Sequence, residues 1–321
     1  MDPLQAGDPS QLADYRLLGR LGAGGMGQVY LGATPGGRLV AVKVIRAEII
    51  ADPEYRRRFA REVQAARSVG GFHTAHVVDA DPDASQPWMV TAFVAGPSLH
   101  AMVRENGPLP VAAATALGAA LAEGLIAIHR CGLVHRDLKP GNIIMAADGP
   151  RIIDFGIARP VGASTLTERD MLVGTYPYMS PELFRGDPAT PGSDVFALGC
   201  VLVFAATGHP PFEAETAYQV MYRILEQAPE LGAIEDGPFR AVAEQCLAKD
   251  PGRRPSLAGV LAEFGGAAPA PAAPLPEAAA GQEPPVNNEN VTITQQASAS
   301  PGSTVIQIAG NAKIGDGALP Y

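Results

Sequence analysis

The octapeptide His135-Arg136-Asp137-Leu138-Lys139-Pro140-Gly141-Asn142 gathers seven functional or conformationally restricted residues, more than core packing requires. Pro140-Gly141 marks it as a loop. Asp137 can accept a hydroxyl proton, Lys139 can neutralise a transferring phosphoryl group, and Asn142 can ligate a cation. Twelve residues past Asn142, Asp154-Phe155-Gly156 follows the apolar pair Ile152-Ile153. Asp154 offers a hard carboxylate suited to magnesium bridging the phosphates of ATP. A lone Asp-Phe-Gly means little; in this order and at this spacing it is decisive.

Upstream lies Gly22-Ala23-Gly24-Gly25-Met26-Gly27-Gln28-Val29. Glycines at its first, third and sixth positions let a hairpin lie close over phosphates and offer them backbone N–H groups. Alone this is weak evidence, because dinucleotide-binding folds use similar spacing and an ordinary glycine-rich turn would look the same. Those folds open a helix at this point, whereas Val29-Tyr30-Leu31 reads as continuing strand. Lys43, in Val40-Ala41-Val42-Lys43, comes 16 residues after the last glycine. By default such a lysine points to solvent; here it can sit beneath the hairpin and hold phosphate oxygens. Glu62 lies 19 residues further on, between Phe59 and Val63. A surface acid is its default reading, and a partner orienting Lys43 the alternative.

With Ser180-Pro181-Glu182 closing the segment, these motifs resemble the protein kinase signature set over about residues 14–265. Within it the chain is similar to the eukaryotic-like serine/threonine kinases of actinomycete-type bacteria, with Lys139 and Gly174-Thr175 as the serine/threonine marks. The resemblance implies an α+β, bilobal fold: a small β-rich N-lobe (14–94) and a larger helical C-lobe (95–265). It implies ATP held by Leu21, Gly22, Ala23, Gly24, Gly25, Met26, Gly27, Val29, Ala41 and Lys43. Thr91 would be gatekeeper, the backbone of Ala92 and Val94 would meet adenine, and Ile144 with Ala41 would sandwich it. Asp137, Lys139, Lys43 and Glu62 carry the catalytic roles. Asn142 and Asp154 would bind Mg2+, with Mn2+ as an alternative. His135 and Phe155 resemble regulatory-spine members, and Asp194 would brace the catalytic loop. Thr175 would shape the acceptor site, and Glu182 would pair with Arg254. Phe196 replaces the more usual tryptophan, and Ala92 a common acid. Arg136 can pair with a loop phosphate, so trans-autophosphorylation is expected at Thr165 or Thr167, Thr167 preferred, through a transient homodimer.

The elements that must position these residues follow from periodicity. Residues 15–21, 29–33, 39–45, 77–80 and 88–93 read as strands of a small antiparallel sheet. Phe59, Val63, Ala66 and Val69 recur at helical steps, predicting one amphipathic helix over 53–69. Helices then dominate: 111–130, 193–207, 217–227, 239–248 and 256–264. Between the first two, residues 131–182 read as loop-rich. Strands followed by helices suggest two lobes.

Composition narrows the class. The chain has 321 residues, 47% hydrophobic and 18% charged, enough for a kinase-sized core. A net charge of −9 argues against nucleic acid as the main partner. Cys131, Cys200 and Cys246 are too few and too scattered for a disulfide framework or zinc site. The polar start is no signal peptide, and residues 111–129 are broken by Thr115, Gly118, Glu123 and Gly124. A cytoplasmic protein without a transmembrane segment is expected. Residues 1–13 form a lead, 266–286 an Ala/Pro-rich linker and 287–321 a polar tail.

Three function classes compete. An active kinase acting on protein Ser/Thr hydroxyls is favoured. A pseudokinase would have lost Lys43, Asp137 or Asp154, and none is lost. A chain acting through its tail would rely on Val305-Ile306-Gln307-Ile308, whose β-branched, uncharged character resembles short amyloid-type signalling motifs. That resemblance implies tail-mediated assembly; a disordered tail with stray β-formers is the other reading.

Overall fold

The computed structural model describes residues 1–24, 27–50, 52–154 and 176–265. Its first half is a six-stranded antiparallel sheet of β1 (Gln11–Leu12), β2 (Tyr15–Gly24), β3 (Gly27–Ala33), β4 (Leu39–Ile45), β5 (Val77–Asp81) and β6 (Trp88–Ala92). The spatial order is β1-β2-β3-β4-β6-β5. Between β4 and β5 come the short α1 (Ala47–Ile50) and the longer α2 (Pro53–Arg67). In β4, Val40, Val42 and Val44 belong to a core on one face of the sheet, while Ile45 joins the main core. Period-two alternation therefore sets Lys43 and Ala41 on the face opposite those valines. Lys43 lies between Val29 on β3 and Met89 on β6.

Helix α2 starts where Asp52 accepts a hydrogen bond from the Glu54 amide (2.8 Å) and Pro53 supplies the first helical residue. Its buried residues are Tyr55, Phe59, Val63 and Ala66, a stripe at steps of three and four. Val69, expected inside the helix, is buried just beyond its end.

The second half is helical: α3 (Leu99–Asn106), α4 (Val111–Arg130), α5 (Pro181–Phe184), α6 (Pro191–Thr207), α7 (Ala217–Glu226), α8 (Pro238–Cys246) and α9 (Leu257–Phe264). Helix α4 is long and apolar enough to cross a membrane by length and composition alone. Leu121, Ala122, Leu125 and Ile128 on it are fully buried in the protein's own core. Each large side chain among them contributes about 1.5–3 kcal/mol by leaving water. In α6 every residue from Ser193 to Ala205 is buried. A helix apolar all round is a core helix, and here it carries one charge inside, Asp194. Cys200 and Cys246 are buried free thiols, and burial pushes both above the usual thiol range, Cys246 to about 12.

Several elements differ from the sequence expectation. The segment read as loop-rich contains a two-stranded hairpin, β7 (Ile143–Ala146) with β8 (Gly149–Ile152). These strands are four residues each, too short for an alternation signal. Helix α3 is fixed by Ser98, whose hydroxyl accepts from the Ala101 amide (3.1 Å). Residues 1–13 are hydrogen-bonded along β2, through β1 and an isolated bridge between Asp2 and Arg20.

A buried charge pair ties α5 to the last helices. Arg254 Nη1 and Nη2 donate to Glu182 Oε1 and Oε2 at 2.7 and 2.8 Å, and Ser193 Oγ adds a third bond at 2.7 Å. Arg254 also donates to the carbonyls of Gly192 and Ala248 (2.8 and 2.9 Å). Burial alone would raise the Glu182 carboxyl, but the bonds from Arg254 and Ser193 outweigh it and draw it down to about 2. Arg254→Ala leaves that carboxylate buried without its counter-charge, and should cost roughly 3–5 kcal/mol in urea unfolding. A carboxyl depressed on folding stabilises above its unfolded pKa of about 4.3 and loses that contribution as pH falls towards 2. Thermal melts should therefore weaken between about pH 4.5 and 2.5 in the wild type. Glu182→Gln should be less stable at pH 7 and flatter across that window.

Candidate active site

Asp194 organises the loop that carries Asp137. Its Oδ2 accepts from the His135 amide (2.8 Å) and its Oδ1 from the Arg136 amide (2.9 Å). His129 Nε2, from the last turn of α4, lies 2.7 Å from Oδ2. His135 is fully buried, with Nε2 3.2 Å from the Ile153 carbonyl. Burial pushes its imidazole towards the neutral form. Arg136 adopts a left-handed backbone (φ 65°), which turns the chain just before Asp137, whose amide donates to His135 Nδ1 (3.3 Å).

Around Asp137 the polar side chains converge. Lys139 Nζ is 3.0 Å from Asp137 Oδ2, and Asn142 Nδ2 donates to the same oxygen (3.1 Å) and to the Asp137 carbonyl (2.8 Å). Asn142 thereby keeps its own side-chain oxygen as an acceptor. Its backbone carbonyl accepts from the Ile153 amide (2.9 Å), which sets Asp154 next to this loop. Asp154 also has a left-handed backbone (φ 56°), and its Oδ1 lies 3.5 Å from Lys43 Nζ. Lys43–Asp154 and Lys139–Asp137–Asn142 thus form two contact groups, linked by the backbone bond between Ile153 and Asn142.

The glycine-rich run forms the expected hairpin, with Gly22 opposite Val29, Ala23 opposite Gln28 and Gly24 opposite Gly27. Gln28 Nε2 donates back to the Gly22 carbonyl. At Gly27 a Cβ would stand 2.0 Å from the Val44 carbonyl, so only glycine allows β3 to pass β4 this closely. Leu21 precedes the run on β2, and Ala41 pairs with Thr91 across β4 and β6. The Ala92 amide is committed to the His76 carbonyl (2.9 Å), so it is not a donor for a base. Val94 follows β6, and Ile144 lies on β7, bridged to Ser98. Gly25, Met26, Phe155, Gly156, Thr165, Thr167, Gly174 and Thr175 lie outside the described residues, as do the linker and tail.

One expected contact is replaced by another. Glu62 does not meet Lys43: its Oε1 accepts from Arg136 Nη1 at 2.5 Å. Lys43 takes Asp154 instead. Burial raises the Glu62 carboxyl against the opposing pull of Arg136, and its Oε2 is buried with no hydrogen-bond partner among the described residues. Spacing within α2 places Glu62 near the buried face but cannot choose between two cations, one 19 residues upstream and one 74 downstream. His129 carries no distinctive signal in the sequence, because a basic residue in the last turn of a helix has an ordinary role at the helix dipole.

For a divalent ion, Asn142 and Asp154 supply hard oxygens of the kind magnesium takes, with phosphate and water completing its shell. Among the described residues no group of three or more His, Cys, Asp or Glu could hold a metal by itself. The donor set therefore fits an ion that arrives with a phosphate ligand.

The protein kinase domain family matches residues 15–264. The chain belongs to that family. It is 54% identical over 264 residues to "Probable serine/threonine-protein kinase PkwA" of Thermomonospora curvata, covering 82% of this chain and 35% of that protein. With the serine/threonine-protein kinase AfsK of Streptomyces coelicolor it shares 48% over 265 residues, 82% of this chain and 33% of the relative. The chain spans about a third of the length of these curated relatives. The crystal structure of the Mycobacterium tuberculosis PknI kinase domain superposes with a TM-score of 0.63 at 28% identity, covering 83% of this chain and 99% of that one. The kinase-domain fold expected from the motifs accords with that likeness.

Proposed function

We propose that this kinase domain transfers the γ-phosphoryl group of ATP, with magnesium, to Ser or Thr hydroxyls of proteins. The observation that carries the reading is the contact chain Lys43–Asp154 and Lys139–Asp137–Asn142, joined through the Asn142 carbonyl and the Ile153 amide. Lys139 and the names of the relatives favour Ser/Thr acceptors.

In the proposed step Asp137 Oδ2 accepts the acceptor's hydroxyl proton as its oxygen bonds to the γ-phosphorus and the bond to the β-phosphate oxygen breaks. Lys139, 3.0 Å from Oδ2, neutralises charge on the transferring group. Asn142 holds Asp137 in one rotamer, which supplies orientation. Lys43 is placed to hold phosphate oxygens beneath the hairpin, and Asn142 with Asp154 to hold the ion. When bound, that ion neutralises charge between the β- and γ-phosphates.

The pairing of Glu62 with Arg136 gives the domain a resting arrangement. Phosphorylation of Thr165 or Thr167, by a second copy in a transient encounter, supplies a dianion that competes for Arg136 and frees Glu62 for Lys43. One to three new charge-assisted bonds, each about 1.5–3 kcal/mol, suffice for a tenfold or larger gain.

Asp137→Asn keeps volume and removes the proton acceptor. It should melt like the wild type while phosphorylation of a generic Ser/Thr substrate falls on the order of 10²-fold or more; turnover at the wild-type rate would refute the assignment. Preincubation with ATP should raise the wild-type rate about tenfold, with peptide mapping placing phosphate on Thr165 or Thr167. Arg136→Ala should acquire the phosphate when treated with wild type, yet gain no activity from it. Neither threonine being modified in an active preparation would defeat this regulation.

A further inference from the structure

The sheet face that carries Val40, Val42 and Val44 has its own small core, to which Tyr15, Tyr30 and Trp88 also belong. The chain's first dozen residues cover it. Leu4 and Leu12 pack against that core. Asp2 pairs with Arg20 on β2 through two backbone bonds (3.0 and 2.8 Å), and the Ser10 carbonyl accepts from the Leu17 amide (2.9 Å). A Cβ at Gly19 would lie 2.8 Å from the Asp2 carbonyl, so the glycine admits this close approach.

Between these anchors Asp8 binds both strands of the glycine-rich hairpin. Arg20 Nε and Nη2 donate to its two oxygens, each at 2.6 Å. Tyr30 on β3 donates its hydroxyl to Oδ1 (2.9 Å), and the Gln5 amide donates to Oδ2 (2.7 Å). Arg20 and Tyr30 are cross-strand partners, the last such pair before the register shift that leads into Gly22. Beyond them β3 stays paired with β4 as far as Gly27 opposite Ile45, whereas on β2 a Cβ at Gly22 or Gly24 would meet nothing within 4 Å. The course of β2 into the hairpin is therefore set at its base, where a bulge adds twist and a charge-assisted fork ties β2 to β3. The bond from Arg20 holds the Asp8 carboxyl well below the usual carboxylate range, so the clamp stays closed at neutral pH.

We propose that residues 1–12 form a strap that positions the glycine-rich hairpin over the ATP phosphates, with Asp8 as its positioning residue. This rests on the kinase reading of the hairpin. The strap touches no reacting atom; it restricts the hairpin's angle, so its loss weakens nucleotide binding more than phosphoryl transfer. That pattern separates positioning from a merely stabilising role.

The test is steady-state kinetics of the full chain with ATP and a generic Ser/Thr peptide, beside direct titration with a fluorescent ATP analogue. Asp8→Ala should raise KM for ATP about three- to tenfold with kcat at saturating ATP within about twofold. Removing residues 1–9 should do the same, and adding Asp8→Ala-like changes elsewhere in the clamp, such as Arg20→Ala, should not multiply the loss from Asp8→Ala. Asp8→Asn, which keeps volume and one acceptor oxygen, carries the test if the alanine variant does not fold. An unchanged KM and unchanged analogue affinity in a folded Asp8 variant, whatever its melting temperature, would overturn the strap. A wild type that binds the analogue but transfers no phosphate would overturn the proposed function and leave the strap standing; one that binds no nucleotide would overturn both.

Discussion

The charge of Asp194 is the constraint on which the site depends. It sits 1% exposed as the one charge in a helix buried along its length from Ser193 to Ala205. A carboxylate there must collect donors or lose several kcal/mol to desolvation. It collects the His135 and Arg136 amides and the His129 ring. Satisfying it fixes the backbone one residue ahead of Asp137, including the left-handed turn at Arg136. The requirement of the core and the aim of the catalytic-type carboxylate are thus one set of bonds.

The same economy appears on the sheet side. The alternation of β4 buries three valines in the outer core and thereby presents Lys43 to the cleft. The Ile153 amide, bonded to the Asn142 carbonyl, carries the register of the C-terminal loop onto Asp154. Asp154 then meets Lys43. Two bodies of different secondary structure are joined at the place where the charges converge. One main core, from Ile45, Phe59 and Met89 to Leu121 and Leu138, holds the two sides of that junction together.

Much of this was legible before any coordinates. Strong periodicity makes β4, α2 and α4 readable within a few residues, since burial of one face leaves a trace at every step, and α6 is readable as one long apolar run. The polar loop at 135–142 stood out because its residue types conflict with packing. What escaped lacked such a trace. The hairpin of β7 and β8 is four residues a side, and β1 is only two. Asp8 reads as one acid in a polar lead, since its partners are 12 and 22 residues away on strands that only folding brings together. The choice of Arg136 over Lys43 by Glu62 is likewise a three-dimensional competition, invisible to spacing.

That competition deserves a physical reading of its own. Two cations, Lys43 and Arg136, and two carboxylates, Glu62 and Asp154, can be matched in more than one way. At an effective dielectric near 20, a contact pair contributes about 4 kcal/mol before desolvation, whichever partners form it. Exchanging partners therefore conserves most of the attraction, and the balance falls to smaller differences. The present matching leaves Glu62 Oε2 buried without a bond, a penalty that the alternative can relieve. It also occupies Arg136, whose planar five-donor fork suits a phosphate better than a lysine would. A group with nearly two negative charges gains more from that fork than one carboxylate does. Lys43, a compact point charge, gives up little in accepting Glu62. In the regulation proposed above, near-degenerate pairing of these fixed charges is what would let a single added phosphate shift the arrangement.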